Sequence, residues 1–114
     1  MRPPYSPAIS KNGFIFLSGQ IHLKEDGQLL EGSVEEQTHL IMGRLQKILE
    51  SKGATFNDVV KTIIYTTDMS LYSQVNEVYV TYFSGELPAR EMVEVKGLPL
   101  GARLEISMIA ASGL

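Results

Sequence analysis

Apolar and polar positions along the chain alternate between a two-residue and a 3.6-residue period, and each change marks an element. Residues 1–7 carry three prolines and are expected to be extended, because proline and its predecessor avoid the helical region. Ala8 to Ser10 reads as a short strand, and Lys11-Asn12-Gly13 as a hairpin turn whose last two residues tolerate positive φ. Phe14-Ile15-Phe16-Leu17-Ser18 is apolar enough for a central strand. At Gly19-Gln20 the missing side chain permits a bulge or a close backbone approach. Ile21 to Leu30 reads as a loop or hairpin around Glu25-Asp26-Gly27, folded back through its leucines. Ser33-Val34-Glu35-Glu36 has the form of a capping box, with Ser33 at N-cap and Glu36 at N3. The helix it opens is expected to run to about Lys52, with Gly53 as a left-handed stop. Val34, Ile41, Leu45, Ile48 and Leu49 form its apolar stripe; His39 lies off the stripe and reads as solvated. Val59 to Thr67 is a β-branched run that predicts a strand. Asp68 or Ser70 can cap a second helix with a stripe of Leu71, Val75, Val78 and Tyr82, ending near Ser84-Gly85. Asn76 and Tyr79 lie beside that stripe. Pro88 to Val95, followed by Leu98 to Ala111, reads as two strands joined by a Gly/Pro turn, a hairpin.

The predicted order is β-β-α-β-α-β-β: an α/β (α+β) chain with one sheet and both helices on one face, since crossovers are right-handed. Side chains alternate across a strand, so Leu104, Ile106 and Met108 share one face and Arg103, Glu105 and Ser107 the other. Val93 and Val95 likewise oppose Arg90, Met92 and Glu94. If the valine face and the Leu104 face form the core, Arg90 and Glu105 share the far side of the sheet. There they could bind a carboxylate and manage a water. The uncovered face would also carry Phe or Ile residues, Met92 and Ile109, which sheets seldom leave in water, so self-association through it is expected.

Composition narrows the chemistry. One compact domain over residues 1–114 is expected at this length. The absence of cysteine removes thiolate catalysis, disulfides and the usual structural zinc sites. The two histidines, His22 and His39, have no metal-ligand spacing. A net charge of −3 argues against a nucleic-acid surface. No apolar run reaches membrane-span length, and the first residues lack a signal-peptide core, so a soluble cytoplasmic protein is expected.

Four motifs occur in one order across nearly the whole chain: Ser18-Gly19-Gln20, Val75-Asn76-Glu77-Val78-Tyr79, Pro88-Ala89-Arg90 before Val93-Glu94-Val95, and Leu98-Pro99 through Glu105-Ile106 to Ile109-Ala110. Together they resemble the RidA/YjgF family of enamine/imine deaminases, also described as the endoribonuclease L-PSP or translation inhibitor family. The resemblance implies a chorismate-mutase-like fold, a homotrimer whose sheets form a central barrel, and sites in clefts between subunits. It implies hydrolysis of reactive 2-enamine and 2-imine acids, such as 2-aminoacrylate, 2-iminopropanoate and 2-iminobutanoate, without a cofactor. The family's carboxylate-clamping arginine falls on Arg90 and its water-associated glutamate on Glu105. Its substrate-binding tyrosine, serine and asparagine fall on Tyr5, Ser18 and Asn76. Met92 stands where the deaminase branch often has Cys, a tolerable change if that position acts through its backbone N–H. From residue chemistry alone, Arg90 and Glu105 read first as a structural ion pair at a subunit seam, and Arg103 and Glu94 as structural or surface charges. The alternatives are a non-catalytic 2-oxo acid or amino acid binder or chaperone-like trimer, and a ribonuclease or translation inhibitor.

Overall fold

A computed structural model describes residues 2–112. The elements follow the predicted order: β1 (Ala8–Lys11), β2 (Phe14–Ile21), α1 (Val34–Ser51), β3 (Val59–Thr66), α2 (Tyr72–Tyr79), β4 (Ala89–Glu94) and β5 (Leu104–Ala111). They form one five-stranded mixed sheet in the spatial order β1-β2-β5-β3-β4. β1 and β2 are joined at Asn12 and Gly13, both at positive φ (52° and 82°), a region that Asn tolerates and that Gly, lacking a Cβ, adopts freely. The Ser33/Glu36 capping box closes reciprocally, with the Glu36 N–H donating to Ser33 Oγ at 3.0 Å and the Ser33 N–H to Glu36 Oε1 at 3.2 Å. Gly53 follows the end of α1 at φ 77°. Asp68 caps a short 3₁₀ turn that leads into α2, rather than α2 itself.

Both helices pack on one face of the sheet. Ile41, Met42, Leu45 and Leu49 of α1 and Val75 of α2 are buried against Ile15, Leu17, Ile64, Leu104, Ile106 and Met108. Burying a side chain of this size stabilises by about 1.5–3 kcal/mol, so this layer is what holds the helices to the sheet. On the other face Ile9, Phe14 and Phe16 are 52%, 43% and 46% exposed, an apolar surface that no element among the described residues covers.

The last two strands depart from expectation in two ways. They are not a hairpin: β4 pairs with β3 in parallel, and β5 runs antiparallel between β2 and β3. The burial pattern explains the choice. Alternate residues of β5 are fully enclosed, which suits a central strand, whereas no residue of β4 is buried, which suits an edge. The Leu98-Pro99-Leu100-Gly101 turn therefore carries the chain over the end of β3, where the Thr67 N–H bonds to the Arg103 carbonyl at 3.1 Å. The second departure concerns the faces. Arg90 and Met92 are in register with Thr62 and Ile64, which, like Leu104, Ile106 and Met108, face the helices. Val93 is in register with Tyr65, and Tyr65 with Glu105, on the uncovered face. The valines are not core residues, Met92 does not belong to the uncovered face, and Arg90 and Glu105 lie on opposite sides of the sheet.

Candidate active site

The predicted site residues fall into two groups. The first surrounds Arg90. Its guanidinium Nη1 donates to Asn76 Oδ1 at 2.6 Å and its Nη2 to the Tyr72 hydroxyl at 3.4 Å. Its Cζ stands 5.5 Å from the centroid of the Tyr72 ring and 5.2 Å from that of Tyr79, within cation–π range. Tyr79 is itself fixed, donating its hydroxyl proton to Thr62 Oγ1 at 2.9 Å. Residues 72, 76 and 79 lie on one face of α2 by helical spacing, and that face overlooks the start of β4. Asn76, Tyr79, Val80, Leu87, Pro88 and Arg90 line a cleft of about 270 Å³. A guanidinium held by one nitrogen on an amide oxygen keeps other N–H donors free for a planar carboxylate.

Met92 joins this group through its backbone. The Val95 N–H donates to the Thr66 carbonyl at 2.8 Å. In a parallel pair alternate residues turn their N–H groups to the same neighbour. The N–H groups of Arg90, Met92 and Glu94 therefore point to the open edge of the sheet.

The second group lies around a break in β2. The β2–β5 register shifts between Leu17 and Gln20, which leaves Ser18 and Gly19 as a bulge. Ser18 is used structurally: its hydroxyl donates to the Ser6 carbonyl at 2.6 Å and its N–H to the Pro7 carbonyl at 2.9 Å. These bonds hold the N-terminal arm beside the bulge, with Tyr5 projecting from it, 61% exposed. The Glu105 side chain lies across Gly19 on the uncovered face. Burial pushes its carboxyl above the ordinary value. Among the described residues the Glu105 carboxyl has neither a hydrogen bond nor an ion pair.

The two groups do not meet. β3 lies between β4 and β5, and Arg90 and Glu105 are offset along the strands, so their Cα atoms are roughly 14 Å apart from strand spacing and rise. They point to opposite sides of the sheet, so no ion pair joins them within one chain, and the pair at a subunit seam that residue chemistry alone offers would have to span two copies. A larger groove of about 810 Å³ runs along α1 past Pro7, Gly43 and Lys47 and touches none of the predicted site residues.

Other polar contacts are structural. Arg103 donates from Nε to Gln37 Oε1 at 2.6 Å and from Nη2 to the Gly32 carbonyl at 2.9 Å. Its N–H donates to His22 Nε2 at 3.1 Å, so the proton of neutral His22 resides on Nδ1, facing the Leu30 carbonyl at 3.1 Å. His22 is buried, and burial lowers its pKa below the ordinary 6.5. Glu94 accepts the Met69 N–H at 2.8 Å. His39 is exposed, with its Nδ1 2.6 Å from the Tyr82 hydroxyl. The sequence reading missed the two tyrosines beside Arg90; the spacing of Tyr72, Asn76 and Tyr79 was the available signal. No group of three His, Asp or Glu side chains suited to a metal occurs among the described residues. Among the described residues no helix is long and apolar enough to cross a membrane.

Comparison with known proteins agrees with the fold. A family model described as Endoribonuclease L-PSP matches residues 1–112. A Mus musculus protein named 2-iminobutanoate/2-iminopropanoate deaminase is 44% identical over 111 residues, covering 96% of this chain and 82% of that protein. A Yersinia pestis protein of the conserved Rid family superposes with a TM-score of 0.93 at 42% identity, over 98% of this chain and 90% of that one. The E. coli protein TdcF, solved with bound serine, superposes with a TM-score of 0.92 at 28% identity, over 99% of this chain and 91% of that one.

Proposed function

The chain belongs to the endoribonuclease L-PSP family, the RidA/YjgF family that its motifs resemble, and from that premise we propose that it hydrolyses 2-enamine and 2-imine acids to 2-oxo acids and ammonia. The observation that carries this reading is the tethered guanidinium of Arg90, aimed into a cleft beside free backbone donors. A substrate carboxylate pairs with Arg90 and with the edge N–H of Met92, and this fixes the adjacent imine carbon. An enamine first tautomerises to the imine. The Glu105 carboxylate takes a proton from a water as it attacks that carbon, and a carbinolamine forms. The same carboxyl returns that proton to the nitrogen, completing the neutral carbinolamine, then takes the carbinolamine hydroxyl proton and passes it to the nitrogen as the C–N bond breaks, leaving the 2-oxo acid and ammonia. A carboxyl raised by burial suits a group that must both accept and donate. Such acid–base help contributes about 10²–10⁴-fold. The carboxylate clamp adds to it by making attack effectively unimolecular. Met92 fits this scheme because hydrolysis needs a water and a proton carrier, not a thiol.

Because Arg90 and Glu105 cannot meet within one chain, the reading requires a second copy. The exposed apolar face with Ile9, Phe14 and Phe16 is the surface that an assembly would bury. We take the assembly to be a homotrimer with three shared sites and no cofactor. The imine released by a threonine dehydratase in the presence of semicarbazide tests activity: added protein reduces semicarbazone capture, and Arg90→Ala restores it. Mixing refolded Arg90→Ala and Glu105→Gln subunits tests the shared site. Random trimers regain about a quarter of wild-type activity, because each mixed trimer holds one intact pair. Two inactive variants that stay inactive when mixed, or a monomer at micromolar concentration in light scattering, would overturn the shared site. Serine in the similar E. coli protein supports a second reading, a non-catalytic binder of small amino or oxo acids. Ligand binding without any drop in semicarbazone capture favours that binder.

A further inference from the structure

We propose that Gly19 is a positioning residue: its missing side chain leaves the space in which the Glu105 carboxyl is held. This rests on the reading of Glu105 as the proton carrier. A Cβ built on Gly19 would stand 2.5 Å from Glu105 Oε2, 2.7 Å from Cδ and 3.0 Å from Cγ. Real Cβ atoms do not approach so closely, so any other residue here displaces the whole end of the Glu105 side chain.

The usual reason for glycine is absent. Gly13, Gly27, Gly32, Gly53 and Gly101 all have positive φ, and Gly19 does not. The backbone at this bulge suits an L-residue, and the nearest obstacles are all atoms of Glu105. The register break between Leu17 and Gln20 brings the Gly19 main chain under that carboxyl. No hydrogen bond or ion pair among the described residues holds the carboxyl there. Its position is therefore set by shape: the bulge below it and the sheet around it. A displacement of about 1 Å in a reacting group can cost about 10²-fold in rate, so this contact is in the range that matters.

Gly19→Ala is the test, with Glu105→Asp as its partner. An Asp at 105 is one methylene shorter and withdraws the carboxyl from the added Cβ. We expect Gly19→Ala to lower kcat by about 10²-fold with little change in KM, because the carboxylate clamp is elsewhere. In a Glu105→Asp background the same glycine change costs less than about threefold, the non-additivity expected of groups in contact. Wild-type kcat in Gly19→Ala would overturn the proposal, as would an equal loss in both backgrounds. Titration of the Glu105 side-chain carboxyl by ¹³C NMR gives a readout independent of turnover. The titration midpoint moves in Gly19→Ala. An unmoved midpoint would overturn the proposal. If the wild-type protein turns over no imine, the deaminase reading fails, and the NMR arm alone decides whether Gly19 holds the carboxyl.

Discussion

Replacing Asn76 with Asp adds a negative charge to the tether on Arg90 while nearly preserving its shape. The 2.6 Å bond from Arg90 Nη1 then joins two ions instead of an ion and an amide. The pair is partly exposed, so the gain in stability is about 0.2–1 kcal/mol. The effect on ligand binding has the opposite sign. The guanidinium charge is now neutralised from α2, and a ligand carboxylate loses one charge-assisted interaction of about 1.5–3 kcal/mol. At about 1.4 kcal/mol per decade this weakens the Kd by about 10–150-fold. Thermal unfolding measures the first quantity, and titration calorimetry with 2-oxobutanoate, a product in the proposed reaction, measures the second. The two signs must appear together: a higher Tm with a weaker Kd. Asn76→Ala weakens the Kd without raising Tm, because the orienting acceptor is lost and no charge replaces it. A Tm that rises in Asn76→Asp while the Kd is unchanged would refute the reasoning. It would reduce Arg90 to a structural strut between β4 and α2.

Further expectations follow from other residues. His22 is held neutral with its pKa lowered, so between that value and 6.5 the unfolded chain binds more protons than the folded one. Its stabilising contribution is full above pH 6.5 and is lost as the pH falls through that window. The difference between wild-type and His22→Asn urea-unfolding curves isolates it, since the opposite-signed contribution of Glu105 cancels; a difference constant from pH 7.5 to 4.5 would contradict it. Phe16→Glu places a carboxylate on the uncovered apolar face and is expected to dissociate the proposed assembly in light scattering while far-UV circular dichroism is retained; an assembly left intact would remove this face from the interface. Ser33→Ala removes the α1 cap and is expected to cost about 1 kcal/mol in chemical denaturation, with ligand binding unchanged.

Much of this protein was legible in local pattern. The element order, the α1 cap at Ser33 and Glu36, the Asn12-Gly13 turn and the bulge at Gly19 are set by neighbours in sequence. Short-range sterics and hydrogen bonds decide such features before any tertiary contact forms. The facing of Arg90 and Glu105 was not legible. Alternation fixes which residues of a strand share a face, but not which of the two faces meets the helices. That depends on where the strand enters the sheet, and here β5 took the buried centre while β4 was left at the edge. The pairing of β4 with β3 then turned Arg90 toward α2, and the Leu98–Gly101 turn carried Glu105 to the other side. Sequence alone thus named both groups; the tertiary structure decided that a single chain holds them apart, because strand order follows total burial and not proximity along the chain.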